Sequence, residues 1–316
     1  MNRFPSPRAR RRHAGVLALV LAVVTVAPGA GAQTTVPCPP GRAGALPSGT
    51  GEISGITASG RFPGWGWVIR DSGHPPSLYA VRFLADGRSV VREIQVAGAD
   101  NTDWEDVAYA RNRDGTGRLY VVESGQTGRD HYIYKIPEPD PLGPERWVRF
   151  RRYRYAYPRG RHFNTEAAFF HQDRLVLVTK TSPARVYRFE GLLSSRRVNR
   201  PRFVGVLRGA RTVSVTRVSP DGQVLVAANH TRLYVYRSSA PSADLSQFVA
   251  RRPDRSEVVA IGDNIEAGDF FPFRRCHLLL AAESKNVYRV APGNGSAEPS
   301  PGAASVGRSR TAAPRA

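Results

Sequence analysis

The chain has 316 residues, with 46 lysines and arginines against 26 aspartates and glutamates, and a formal net charge of +20. So basic a balance invites a nucleic-acid reading, but lysine occurs only at positions 135, 180 and 285, and the arginines are scattered rather than clustered. A compositional skew explains them better, so nucleic acid is disfavoured as a partner, and no stretch beyond the first thirty-odd residues is apolar enough for a membrane-spanning helix.

In chain order, Arg3, Arg8, Arg10, Arg11 and Arg12 precede an apolar run at 14–26, and Ala30-Gly31-Ala32 follows before Gln33. That order marks residues 1–32 as a cleavable signal peptide, too short for a stable span, and the expected localisation is secreted. The run Arg10-Arg11-Arg12 leaves a twin-arginine route open, but no bulky apolar residue follows at the expected offset, so Sec export is placed first. No lipobox cysteine follows the cut, since Cys38 lies several residues beyond it.

A repeat with a period near 50 residues occupies most of the rest. Ser77-Leu-Tyr-Ala-Val81, Tyr132-Ile-Tyr-Lys-Ile136, Arg185-Val-Tyr-Arg-Phe189, Arg232-Leu-Tyr-Val-Tyr236 and Asn286-Val-Tyr-Arg-Val290 are short alternating segments, each with tyrosine at its centre. Ahead of each lies a more apolar segment (65–69, 119–122, 175–178, 224–227, 278–281). Ahead of that is one with small residues (53–57, 107–110, 167–170, 215–218, 267–270), which suits the crowded axis of a ring. Segments 90–97, 147–157, 203–207 and 258–261 read as outer strands. The period and the strand count predict an all-β fold, a β-propeller over residues 33–292 with five blades, or six as the alternative.

The fifth blade lacks an outer strand, and only residues 34–50 remain to supply one and close the ring. Cys38 lies in that segment and Cys276 in the fifth blade, so a Cys38–Cys276 disulfide is expected in an exported chain. Closing so long a loop contributes about 4 to 5 kcal/mol in the chain-entropy model. Residues 293–316, mostly Gly, Ser, Pro, Ala and Arg, read as a disordered tail.

Aligning the blades on these segments places Glu52, Glu105, Glu166 and Glu266 at the start of the innermost strand, with Arg217 in the fourth blade. Asp71, Glu123, Lys180, Asn229 and Glu283 fall at the end of the next strand. Antiparallel neighbours bring both rows to one mouth of the channel. Crowded carboxylates repel, and two arrangements relieve them: pairing with Arg217 and Lys180, or a hard cation such as Ca²⁺ held by Glu52, Glu105, Glu166 and Glu266. Between 149 and 161, arginines alternate with Tyr153, Tyr155 and Tyr157, the pattern of a charge-protected edge strand; contact with an acidic polymer or cell wall is the sharper reading.

Glu52-Ile-Ser-Gly55, Arg70-Asp-Ser-Gly73, Asp103-Trp-Glu-Asp106 and Asn164-Thr-Glu-Ala167 together resemble an exported bacterial β-propeller family common in actinobacteria. That family is distantly similar to lactonase-like, phytase-like and NHL-type propellers, some of which hold calcium on the axis. The resemblance spans roughly residues 45–292 and implies a central-face site, without implying a reaction. Val122-Glu-Ser-Gly-Gln126 and Arg217 depart from the family's pattern by removing oxygen donors.

No Gly-x-Ser-x-Gly elbow, His-x-x-x-His pair or Cys-x-x-Cys is present. His74 and His131 follow Asp71 and Glu123 closely enough to be read as bases at the same mouth, and Glu105 with Glu166 is the pair to suspect for acid and base. Two functions follow. The first is a secreted, monomeric binding module that takes a small molecule, a glycan or an extracellular protein at the acidic face. The second is a lactonase-, phosphoesterase- or glycosidase-type hydrolase using the same carboxylates, with or without calcium.

Overall fold

The structure is a computed structural model that describes residues 41–46, 50–83, 89–112, 114–124, 131–240, 244–259, 264–271 and 278–290. The expected signal segment, the expected tail, Cys38 and Cys276 lie outside the described residues. A short strand β1 (Gly41–Ala45) comes first. The first sheet then runs β2 (Ile53–Ala58), β3 (Trp65–Arg70), β4 (Ser77–Phe83) and β5 (Ser89–Val96). The second sheet is β6 (Trp104–Arg111), β7 (Gly117–Glu123) and β8 (His131–Pro137), followed, after the two-residue β9 (Trp147–Val148), by β10 (Arg151–Tyr155). The third is β11 (Thr165–His171), β12 (Arg174–Thr179), β13 (Ala184–Arg188) and β14 (Arg202–Leu207), and the fourth is β15 (Val215–Val218), β16 (Val224–Ala228), β17 (Arg232–Arg237) and β18 (Arg255–Val258). The last three strands are β19 (Ile265–Phe270), β20 (Leu278–Ala282) and β21 (Asn286–Val290); β1 pairs antiparallel with β21 and completes the fifth sheet.

The innermost strands β2, β6, β11, β15 and β19 pack side by side in that order, and β19 meets β2 again. The ring therefore closes as a five-bladed propeller, and the N-terminal strand supplies the missing outer strand of the last blade.

Burial explains why the second strands read as continuous apolar runs. Every blade is covered on both faces, so alternate residues of one strand feed different interfaces. Trp67 and Ile69 pack between the first and second blades, whereas Val68 packs between the first and fifth. Five apolar clusters result, one per blade interface. The recurring tyrosine is explained in the same way. Tyr79, Tyr134, Tyr187 and Tyr234 each lay the ring against the preceding blade, and the hydroxyls of Tyr79 and Tyr234 meet Glu93 and the Asn229 side-chain amide.

Two outer strands differ from expectation. Residues 147–157 do not form one strand: Trp147–Val148 pairs parallel with Gln95–Val96 of the first blade, and the chain then crosses to Arg151–Tyr155 in the second. Phe150, packed 5.1 Å from the Tyr134 ring between the two blades, marks the crossing. In β10 Arg151, Arg152 and Arg154 face solvent and Tyr153 and Tyr155 face inward, as an edge strand requires. In the fourth blade the outer strand is Arg255–Val258 rather than 258–261; it is polar and half-exposed, so its apolar flank misplaced it.

Candidate functional site

Four of the five innermost strands start with the same irregularity. Pairing steps from Ile53 to Gly55, Trp104 to Asp106, Thr165 to Ala167 and Ile265 to Ala267, so Ser54, Glu105, Glu166 and Glu266 are each an extra residue in a β-bulge. A bulge lets one strand redirect a side chain that the regular pleat would send into a blade interface, here into the channel mouth. Strand β15 has no bulge, since Val215, Thr216 and Arg217 pair consecutively with Ala228, Ala227 and Val226.

This register corrects the sequence alignment at several positions. Glu52 lies two residues before the bulge, and its register mates are Asp103, Asn164 and Asn264. The carbonyls of these four accept from the amides of Asp71, Ser124, Lys180 and Glu283 respectively, in every blade but the fourth. Glu52 is solvent-exposed with φ of 60°, and Ser54 holds the place that Glu105 holds next door. In the second row Ser124, not Glu123, matches Asp71, Lys180 and Glu283. Glu123 faces Tyr134 and Thr102, and burial raises its carboxyl above the usual range. Asn229 caps the turn after β16, accepting from the amides of Thr231 and Arg232.

Arg217 is displaced furthest from expectation. With no bulge ahead of it, it lies deeper than the mouth, 3% exposed. Its Nη1 and Nη2 donate to the two Asp106 oxygens at 2.7 and 2.8 Å, Nη2 also donates to the Ile56 carbonyl at 3.0 Å, and Nε lies 3.5 Å from Asp269. Asp106 accepts further from the Val107 and Ala168 amides, so both its oxygens meet N–H donors and it is held as a carboxylate. Burial raises its pKa, and the guanidinium and the two amides act against that. Through Ile56, Asp106, Ala168, Arg217 itself and Asp269, this pair ties together all five blades across the channel. The close approach also needs Gly55: a Cβ there would stand 2.8 Å from the Asp106 Cα.

The mouth itself is a cavity of about 240 Å³. Glu52, Asp71, Glu105, Glu166, Glu266 and Glu283 line it, against one lysine, Lys180, and one histidine, His230. Lys180 Nζ lies 3.1 Å from Glu166, and His230 Nε2 lies 3.0 Å from Glu266. Ser124 Oγ links the second and third blades, donating to Asn164 at 2.9 Å and reaching Glu105 at 3.5 Å. Burial, then the charges of Glu166, Asp103 and Asp71, hold the Glu105 carboxyl well above the usual carboxylate range. Burial also raises Glu166, against the pull of Lys180. Glu266 is pushed up to about 7, by burial first and then by Glu166, Glu283 and Asp71 against Lys180. Burial opposes the Lys180 charge, but Glu166, Glu266 and Glu105 outweigh it and raise its pKa.

Sequence reading missed His230, Asn164 and Ser54. A loop histidine or a small polar residue has no pattern of its own, and only the shared register assigns it to the mouth. The two histidines read as candidate bases are elsewhere. His74 contacts Arg70 at 3.2 Å and does not line the cavity, and His131 is buried with its ring stacked 5.1 Å from Tyr155, between the second and third blades. The proposed calcium set does not fit either. Glu52 is out of register with the other three, an ammonium sits on Glu166, and among the described residues no three His, Cys, Asp or Glu side chains converge to hold a metal ion.

No protein-family model matches the chain, and no curated protein matches it. Among solved structures it is similar to Chaetomium thermophilum Raptor, at 14% identity and a TM-score of 0.41, over 77% of this chain and 20% of that one. The chain thus spans about a fifth of that protein's length.

Proposed function

We propose that the chain is an exported binding module whose acidic channel mouth takes a cationic group, carried by a small molecule or by an extracellular partner. The observation behind this reading is the charge imbalance of the cavity, six carboxylates against Lys180 and His230, with Glu105 and Glu266 shifted toward protonation by burial first and then by neighbouring carboxylates. An incoming ammonium or guanidinium supplies that charge and favours their ionisation. Affinity for a cationic probe such as spermidine therefore rises between pH 6 and pH 8. Calorimetric titration of the wild type and of Glu105→Gln/Glu266→Gln tests this: the double variant is expected to bind at least tenfold more weakly, and equal affinity would refute the assignment. Export is tested separately, by N-terminal sequencing of the protein recovered from medium, with a start at Gln33 expected.

A hydrolase is the second reading, favoured by one observation. Burial raises both carboxyls, Glu105 and Glu166, but Lys180 at 3.1 Å pulls Glu166 back toward the carboxylate, an asymmetry of the kind that an acid and its partner carboxylate need. Turnover of any lactone, phosphoester or glycoside, abolished in Glu166→Gln at unchanged melting temperature, would establish it over simple binding.

A further inference from the structure

Far from the acidic mouth, two adjoining depressions of about 600 and 570 Å³ share Arg149 and Phe150. Arg118, Lys135 and Arg151 line the first, and Trp147 lines the second. The cations are gathered by strand register. Lys135 on β8 pairs directly with Arg151 on β10, and on the other side with Tyr120 of β7, whose ring lies 5.4 Å from its ammonium. Like charges directly opposite across an antiparallel pair are destabilising. Among the described residues no carboxylate forms an ion pair with Arg118, Lys135, Arg149 or Arg151. Burial and the neighbouring Arg118 and Arg151 lower the Lys135 pKa.

At the other end of the trough Trp147 is 54% exposed, with the Arg149 guanidinium 5.8 Å from its ring. Its strand, β9, leaves its own blade to pair with β5, and this detour leaves the indole at the surface. A large exposed apolar ring flanked by unpaired cations matches a ligand with flat apolar faces and repeated negative charge.

We infer that this trough, Arg118, Lys135, Arg149 and Arg151 with Trp147 as a stacking platform, binds an acidic polysaccharide. Single-stranded nucleic acid fits less well, because it is held by several aromatic rings that stack successive bases. Here Tyr153 is buried in a blade interface and Phe150 is half-buried against another, so Trp147, 54% exposed, is the fully presented ring of the trough.

The test is affinity electrophoresis of the full chain through gels containing polygalacturonate, neutral dextran or oligo(dT), at low and moderate salt. Polygalacturonate is expected to retard the wild type, dextran not, and oligo(dT) less than polygalacturonate at equal charge. Arg149→Ser/Arg151→Ser and, separately, Trp147→Ala are each expected to weaken retention about tenfold, with melting temperatures within a few degrees of the wild type and cation binding at the acidic mouth retained. No retardation by polygalacturonate, equal retention of both variants, or tighter binding of oligo(dT) would overturn the inference.

Discussion

Arg217 is buried at the centre of the ring and bonded across it. A fully buried guanidinium is tolerable only because Asp106 holds two of its nitrogens while carbonyls and Asp269 take the remaining donors. Arg217→Met leaves Asp106 buried without its counter-charge and is expected to cost about 3 to 5 kcal/mol, whereas Asp106→Leu/Arg217→Met recovers much of that loss. Denaturant unfolding of the three proteins checks this; a single variant as stable as the wild type would show the pair to be dispensable. The carboxylates of the mouth act oppositely. Glu266 has its folded pKa at about 7, above its ordinary 4.5, so between those values the folded chain binds a proton that the unfolded chain has released. Its contribution is full below about pH 4.5 and is lost as pH rises through about 7, a difference of about 3 kcal/mol. Glu105 adds in the same direction. Melting temperature should therefore fall from pH 5 to pH 8, and Glu266→Gln should flatten the fall. At the basic trough, Arg151→Thr removes like-charge repulsion with Lys135 and should leave stability unchanged or raise it by about 0.5 kcal/mol.

Among the elements, β1 and the four bulges decide whether there is a site at all. Strand β1 closes the ring on β21, and since β21 is antiparallel to both, β1 and β20 run in the same direction with one strand between them. Cys38 and Cys276, the pair proposed from sequence to form a disulfide, lie outside the described residues. Non-reducing peptide mapping is expected to recover the linked pair, and reduction to cost about 2 to 5 kcal/mol; two freely titrating thiols would contradict it. The tyrosine strands were legible in the sequence because packing against the preceding blade demands the same amphipathic ring every fifty residues or so. The bulges were not. Glu-Ile-Ser-Gly and Trp-Glu-Asp-Val align equally well by eye, and only pairing reveals that the extra residue is Ser54 in one and Glu105 in the other. Arg217 was misplaced for the complementary reason, since counting residues cannot reveal that β15 lacks the insertion its neighbours carry.

At the level of the whole molecule, charge is sorted by location. The chain is strongly basic overall, yet its channel mouth gathers six carboxylates, while four cations that form no ion pair among the described residues lie along an outer trough at the second blade. Sequence composition showed the excess of arginine but not this sorting, which depends on which residues the ring turns inward and which β9 leaves outside. The proposed cation site carries a thermodynamic signature that nonspecific attraction to an acidic surface lacks: carboxyls that burial shifts toward protonation give up protons when the cation arrives. Titration of spermidine into the protein at pH 6.5, in buffers of different ionisation enthalpy, counts the protons released. Release of about one proton per ligand, abolished in Glu105→Gln/Glu266→Gln, is expected. Binding without proton release, or release unchanged in that variant, would place the cation elsewhere on the molecule.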